Sequence, residues 1–200
     1  MVFQPVITNL PTVHRWTEPV KKPVNYDAIT LTSLTQVNAN QLGQFVDSCV
    51  GRLFDQLSPT ASHLEYYQTI LKCSNATYQI VITSLVYLTR LAAKRSPVLV
   101  THPAHVIYTV LLMLSFAFIE DSPYHTKSWA EVSHISIQLL NSVVREVLAS
   151  FNYRLMVAQQ QYLKWESSAL EFFQCLPVTT FPSMGQDPLS SLILYDFFTM

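Results

Sequence analysis

The sequence is short of glycine, of charge and of long apolar runs, and each shortage removes a class of protein. Only three of its 200 residues are Gly. A loop that cradles phosphates needs several glycines close together, so a nucleotide-binding loop of that kind is not expected. The Gly-x-Ser-x-Gly elbow of the serine hydrolases is absent as well. Charged residues make up 12% of the chain, about half the usual share, and the formal net charge is −1. The basic residues are scattered, with Lys21-Lys22 and Lys94-Arg95 the only adjacent pairs. A surface that tracks a nucleic-acid backbone needs a basic stripe, so nucleic acid is not expected as a partner.

Half of the residues are apolar, yet no stretch reaches the ~18 uninterrupted apolar residues that suggest a membrane span. The most apolar segment, Val106 to Ile119, stops at Glu120-Asp121. Its length suits a helix buried in a core, and no membrane association is expected. The opening residues, MVFQPVITNLPTVHRW, lack a positive segment followed by an apolar one. No secretory signal is expected, and the chain reads as intracellular, in the nucleus or the cytoplasm. Cys49, Cys73 and Cys175 are odd in number and far apart, which fits a reducing compartment and buried thiols. So much apolar surface with so little charge predicts that a protein partner covers part of the exterior.

What is present is helical periodicity between proline-rich ends. Residues 1–37 carry Pro5, Pro11, Pro19 and Pro23 with little pattern and read as an extended arm. An N-terminal helix is predicted within 38–60, with Leu42, Phe45, Val46, Cys49, Val50, Leu53, Phe54 and Leu57 on one face and Pro59 as its stop. Ser62, with Glu65 at capping-box spacing, opens a helix to about Cys73. Asn75 is read as the cap of the next helix, which reaches Arg95 before Ser96-Pro97. A central helix runs from about Pro103, acceptable in a first turn, to Ile119 and is apolar on nearly every face. Shorter helices follow from Thr126 or Lys127 to about Val132, and from Ser136 to about Ser150. A last one, Ala158 to about Cys175, carries Tyr162, Trp165, Phe172 and Phe173, which suit core packing or a partner groove. After three further prolines, Leu189 to Met200 (LSSLILYDFFTM) reads as a short helix folding back on the domain.

Strand alternation of useful length is absent. The fold predicted is all-α: a five-helix box around a buried central helix over 62–156, an N-terminal flanking helix, and a helical extension over 158–200.

Candidate chemistry is sparse. His102 and His105 are three apart, but no Cys or carboxylate lies beside them in the sequence, so no metal site is expected. Glu120 and Asp121 are adjacent and would point in different directions on a helix, which suits a helix end rather than paired catalytic carboxylates. Asn75-Ala76-Thr77 has the form of a glycosylation sequon, though the helix-cap reading of Asn75 takes precedence. Catalysis, cofactor, metal and small-molecule substrate are all unexpected.

The order of several short motifs resembles the cyclin box. They are Pro103-Ala104-His105-Val106, Ser115-Phe116-Ala117-Phe118-Ile119-Glu120-Asp121, Tyr124, Thr126, Trp129-Ala130, Val132-Ser133-His134-Ile135-Ser136, Leu140-Asn141 and Tyr153-Arg154-Leu155-Met156-Val157. No gap is needed from His105 to Val157. Tyr66-Tyr67-Gln68-Thr69-Ile70 and Leu85-Val86-Tyr87-Leu88-Thr89-Arg90-Leu91 are similar to the fungal single-box cyclins of the phosphate-regulation group. The resemblance implies a non-catalytic subunit that binds a cyclin-dependent protein kinase and activates or targets it. The positions it carries over as kinase-facing are Ala117, Phe118, Glu120, Val144, Leu148 and Tyr153. It also makes His105 a buried helix-start residue, and His134 a turn residue where the family usually has Gly.

One departure divides the expectation. Kinase-binding cyclins place a Lys on the third helix and a Glu on the fifth at the interface, where this chain has Ala117 and Val144. Losing one member of a buried ion pair usually costs ~3–5 kcal/mol, whereas losing both to apolar groups can be neutral. An interface turned apolar fits this loss. A cyclin-fold scaffold or adaptor that no longer regulates a kinase fits it equally.

Overall fold

The segment that is apolar on nearly every side becomes one helix, Ala104–Ile119, enclosed by the others. The structure is a computed structural model that describes residues 38–55 and 63–175. Among the described residues there are eight helices and no strand: α1 (Ala39–Asp55), α2 (Leu64–Cys73), α3 (Tyr78–Ala93), α4 (Val98–Thr101), α5 (Ala104–Ile119), α6 (Thr126–Ser133), α7 (Ile137–Ser150) and α8 (Gln159–Cys175). The all-α class holds. The arm over 1–37, the Ser62 cap, Leu57, the Pro59 stop and the helix expected over Leu189 to Met200 lie outside the described residues.

Helix α5 packs against α1, α2, α3, α4 and α7, and its Val106, Ile107, Tyr108, Val110, Leu111 and Leu112 are all buried. The largest surface it meets is α3, itself buried from Ile80 to Leu88. At that contact Ser84 donates its hydroxyl proton to the Val81 carbonyl at 2.7 Å or to the Tyr108 hydroxyl at 3.1 Å. Buried hydroxyls left alone cost roughly 1–3 kcal/mol, and here Ser84 has both oxygens within hydrogen-bond reach. The predicted face of α1, from Leu42 to Phe54, is buried in the same core.

Helix ends carry the largest differences from expectation. Ser136 does cap α7, its Oγ accepting the Leu139 N–H at 3.3 Å. Helix α2 instead has His63 at its N-cap with no side-chain cap of its own. The His63 N–H donates to the Asp47 carboxylate of α1 at 2.9 Å, a partner supplied from sixteen residues away. Asn75 does not cap α3, whose N-cap is Thr77. It closes α2 with a left-handed φ of 50°. Its N–H donates to the Lys72 carbonyl and that of Ala76 to the Leu71 carbonyl, the paired bonds of a Schellman motif. The same pair recurs after α3 around Arg95, at φ 47°, and after α7 around Asn152, at φ 51°.

Glycine is the usual residue at such positions, and a chain this poor in glycine fills them with Asn and Arg. Arg95 is exposed and lacks the local hydrogen bonding that eases Asn into this region. Arg95→Gly is therefore expected to stabilise the domain by about 0.5–1 kcal/mol, since relief of left-handed strain exceeds the added chain entropy. Chemical denaturation measures it, and an unchanged or lower stability would refute the strain at Arg95.

Two elements were not foreseen correctly. Pro97 does not simply end α3: it stands at the N-cap of the four-residue α4, which buries Val98 and Leu99 and leaves Val100 exposed. Cys73 is exposed, against the expectation of buried thiols, whereas Cys49 is buried and its thiol is pushed up by that burial. Of the two readings of the last helix, core packing is what the structure has. Trp165 and Phe172 are buried, and the ring of Phe45 on α1 lies 6.2, 5.1 and 5.5 Å from those of Trp165, Phe172 and Phe173.

Candidate docking face

Helix α5 is largely buried until its last turn and then emerges. Phe116 is in the core, while Ala117, Phe118 and Glu120 are exposed, Phe118 by 46%. Helix α7, which packs on α5, turns Leu140, Val143 and Val147 inward. Its flank carries Ile137, Asn141, Val144 and Leu148, spaced for one helical face; the first two are exposed and the last two half-buried. Two residues beyond Phe151, the C-cap of α7, Tyr153 is 71% exposed.

All six residues predicted to face a partner therefore reach solvent. The half-buried pair, Val144 and Leu148, also packs against the core. Ile137 belongs to the same face and was missed, although its spacing from Val144 and Leu148 was available. Among the described residues no helix is long and apolar enough to cross a membrane, and no group of three His, Cys, Asp or Glu is placed to hold a metal ion.

Against this geometry, the family model for Cyclin matches residues 9–155. The chain belongs to the cyclin family. PHO85 cyclin-5 of Saccharomyces cerevisiae is 30% identical to it over 70 residues, which is 35% of this chain and 31% of that protein. The match spans about a third of the length of that relative. The chain is thus a divergent cyclin of fungal type, and cyclins as a family are regulatory, non-enzymatic subunits. His134 in this cyclin box has a φ of 56°, so a left-handed turn stands where the family's usual Gly was expected.

The segment that carries Tyr153 is held by α3. Arg90 donates from Nη2 to the Met156 carbonyl at 2.6 Å and to the Gln161 Oε1 at 3.0 Å, and from Nη1 to the Arg154 carbonyl at 3.4 Å. The Tyr87 hydroxyl donates to the Leu155 carbonyl at 2.8 Å, and burial pushes that hydroxyl up to about 12 despite the nearby Arg90 cation. Lys94 reaches the Ser150 carbonyl at 2.6 Å. These bonds fix a short stretch of the cyclin in which Asn152 and Tyr153 are both left-handed. Tyr153 and Met156 stay exposed, Met156 by 79%. Arg90 lies in the Leu85–Leu91 motif that carried part of the resemblance, but nothing in that motif revealed what it would bind.

The histidines are placed differently from expectation. A carboxylate does lie beside His102: Glu146, 44 residues on, accepts from its Nε2 at 2.9 Å. The hydrogen bond with His102 holds the Glu146 carboxyl below its usual range, tying the approach to α5 onto α7. His105 is half-buried, with its ring centroid 5.1 Å from His63 and 5.3 Å from Tyr66, and its buried Nδ1 has no partner. Burial first, and the His63 ring second, lower its pKa from the ordinary value.

A depressed histidine leaves the folded state reluctant to take a proton. Its contribution is therefore intact above the unfolded value of about 6.5 and is lost as pH falls from there through the folded value. Stability is expected to drop on acidification from pH 7.5 to 5.5. In His105→Gln part of that slope should disappear in thermal melts, and an identical slope in both proteins would refute the assignment.

Proposed function

We propose that this cyclin is a non-catalytic regulatory subunit, acting in the nucleus or cytoplasm, that docks its α5–α7 face on a cyclin-dependent protein kinase. The observation that carries the reading is the emergence of Ala117, Phe118 and Glu120 at the end of an otherwise largely buried helix, with Val144 and Leu148 half-buried on α7, which packs against that helix. Exposed aromatics are common interface anchors, and Phe118 and Tyr153 are available for that role. The yeast relative is named as a cyclin of PHO85, and a counterpart of that partner is the first to test. Activation would consist of holding the kinase's regulatory helix inward, so that the catalytic Lys–Glu pair forms within the kinase. Such a shift requires tighter binding to the active kinase conformation than to the inactive one.

Ala117 and Val144 supply no ion pair, which supports an apolar contact whose two charges were lost together. They equally motivate the second reading, an adaptor that binds another protein and no longer regulates a kinase. A pull-down coupled to a kinase assay decides: the first reading fails if the purified chain neither binds nor activates any cyclin-dependent kinase of its host. The pair Ala117→Lys with Val144→Glu, which restores the charged pair implied by the resemblance, separates the readings further. On a kinase-docking face it should change affinity by about tenfold or more. Little change would favour the adaptor.

A further inference from the structure

The sequence has three Ser-Pro dipeptides, Ser58-Pro59, Ser96-Pro97 and Ser122-Pro123, and the structure separates the two that it describes. Ser96 is 5% exposed, its Oγ lies 2.9 Å from that of Ser150, and its N–H donates to the Leu91 carbonyl to close α3. A kinase could reach it only by unfolding that end of the helix. Ser122 is exposed, as are Asp121 and Pro123 on either side. It lies in the loop between α5 and α6, outside any helix. A residue before proline is biased to extended backbone, and the proline itself has no N–H to satisfy. Both properties suit a substrate strand lying in a kinase groove.

The loop is also anchored just beyond the serine. The Tyr124 ring lies 5.7 Å from Phe116 and 6.2 Å from Trp129. Ser122 thus stands on the solvent side of a pinned turn, four residues from Phe118 and two from Glu120.

We propose that Ser122 is a phosphorylation site for a proline-directed protein kinase, and that phosphate there opposes docking on the α5–α7 face. The second half rests on the reading given above. In the transfer, the Ser122 Oγ attacks the γ-phosphorus of ATP, an O–P bond forms, and the bond from that phosphorus to the bridging oxygen of the β-phosphate breaks. ADP leaves, and the hydroxyl proton passes to the kinase's catalytic base. The product adds a charge of about −1.5 to −2 beside Glu120 and Asp121. His125 and Lys127 follow on the other side. A phosphate at the edge of an apolar contact must be desolvated on docking and repels the neighbouring carboxylates, which weakens the contact.

The test uses the full chain carrying Ser58→Ala, so that the third dipeptide does not contribute. It is treated with ATP and a purified proline-directed kinase that already holds its own activating subunit. Peptide mass spectrometry is expected to place phosphate on Ser122. Ser122→Ala should remove that phosphate, and Ser96→Ala should leave it. An unmodified Ser122, or modification of Ser96 in its place, overturns the first half without reference to any docking partner. For the second half, Ser122→Glu is expected to weaken binding to the kinase found in the pull-down by about tenfold, with Ser122→Ala binding normally. Equal affinity of Ser122→Glu and the parent chain overturns it. Failure of the parent chain to bind any kinase removes the docking half together with the functional reading, while the mass spectrum still decides the first.

Discussion

Phe45→Ala is expected to cost this cyclin about 3–5 kcal/mol, the range for emptying a buried aromatic site. Phe45 is wholly buried on α1 and is the ring that Trp165, Phe172 and Phe173 of α8 meet edge-on or at a tilt. Its removal leaves a void that two helices line, and neither can close it without moving the other. The loss should fall unevenly. Helix α8 also touches α3, yet its aromatic side loses its main partner, so its amides should exchange with solvent sooner than those of α3 and α5. Urea denaturation gives the total and hydrogen exchange gives the distribution. A loss below about 1 kcal/mol, or α8 amides as protected as before, would contradict the role of Phe45 as the joint between α1 and α8.

Gly43→Val should be nearly as damaging, for a reason that concerns backbone rather than cavity. Helices α1 and α2 meet so closely that a Cβ on Gly43 would stand 2.5 Å from the Gln68 Cγ and 3.1 Å from its Cα and N. The first of these atoms can swing away, but the other two are backbone and cannot. Gly normally costs a helix interior about 1 kcal/mol relative to Ala, so its presence here has to be explained by the crossing. Gly43→Ala should sit near neutrality, with propensity offsetting the clash. Gly43→Val should force the helices apart and cost about 3 kcal/mol, at the upper end for overpacking. Gln68→Ala removes the Cγ and should help the Ala variant more than the Val variant. Denaturation of the parent, of the two Gly43 variants and of each of these with Gln68→Ala checks the order, and a Val variant as stable as the parent would refute it.

Much of the fold was legible because it rests on spacing alone. The face of α1 from Leu42 to Phe54 and the all-round apolar α5 were both readable from periodicity, and both are buried in the core except where α5 emerges in its last turn. What spacing could not provide were partners from elsewhere in the chain. Asp47 serves the start of α2, and Glu146 meets His102 across 44 residues; neither pairing leaves a local trace. Asn75 was misassigned because Asn suits a helix start and a left-handed helix end alike, and only φ separates them. The four residues of α4 are too few to show a period. The docking positions came from the cyclin resemblance, and exposure at Ala117, Phe118, Glu120 and Tyr153 was not readable from the apolar letters of α5 and its surroundings.

The edge-on contact of Phe45 with Trp165 has a further consequence for how the chain comes together. The two rings are 120 residues apart, since 165 − 45 = 120, whereas Ser84 and Tyr108, which join α3 to α5, are separated by 24. Loop-closure entropy grows as (3/2)RT ln n, so joining the distant pair first costs about 1.4 kcal/mol more than joining the near one. The α3–α5 pair is the cheaper place to begin, and each helix packed there shortens the effective loop that α8 must close. The terminal helix is thus placed to be a late fastener, arriving when most of its search has already been done by the rest of the chain.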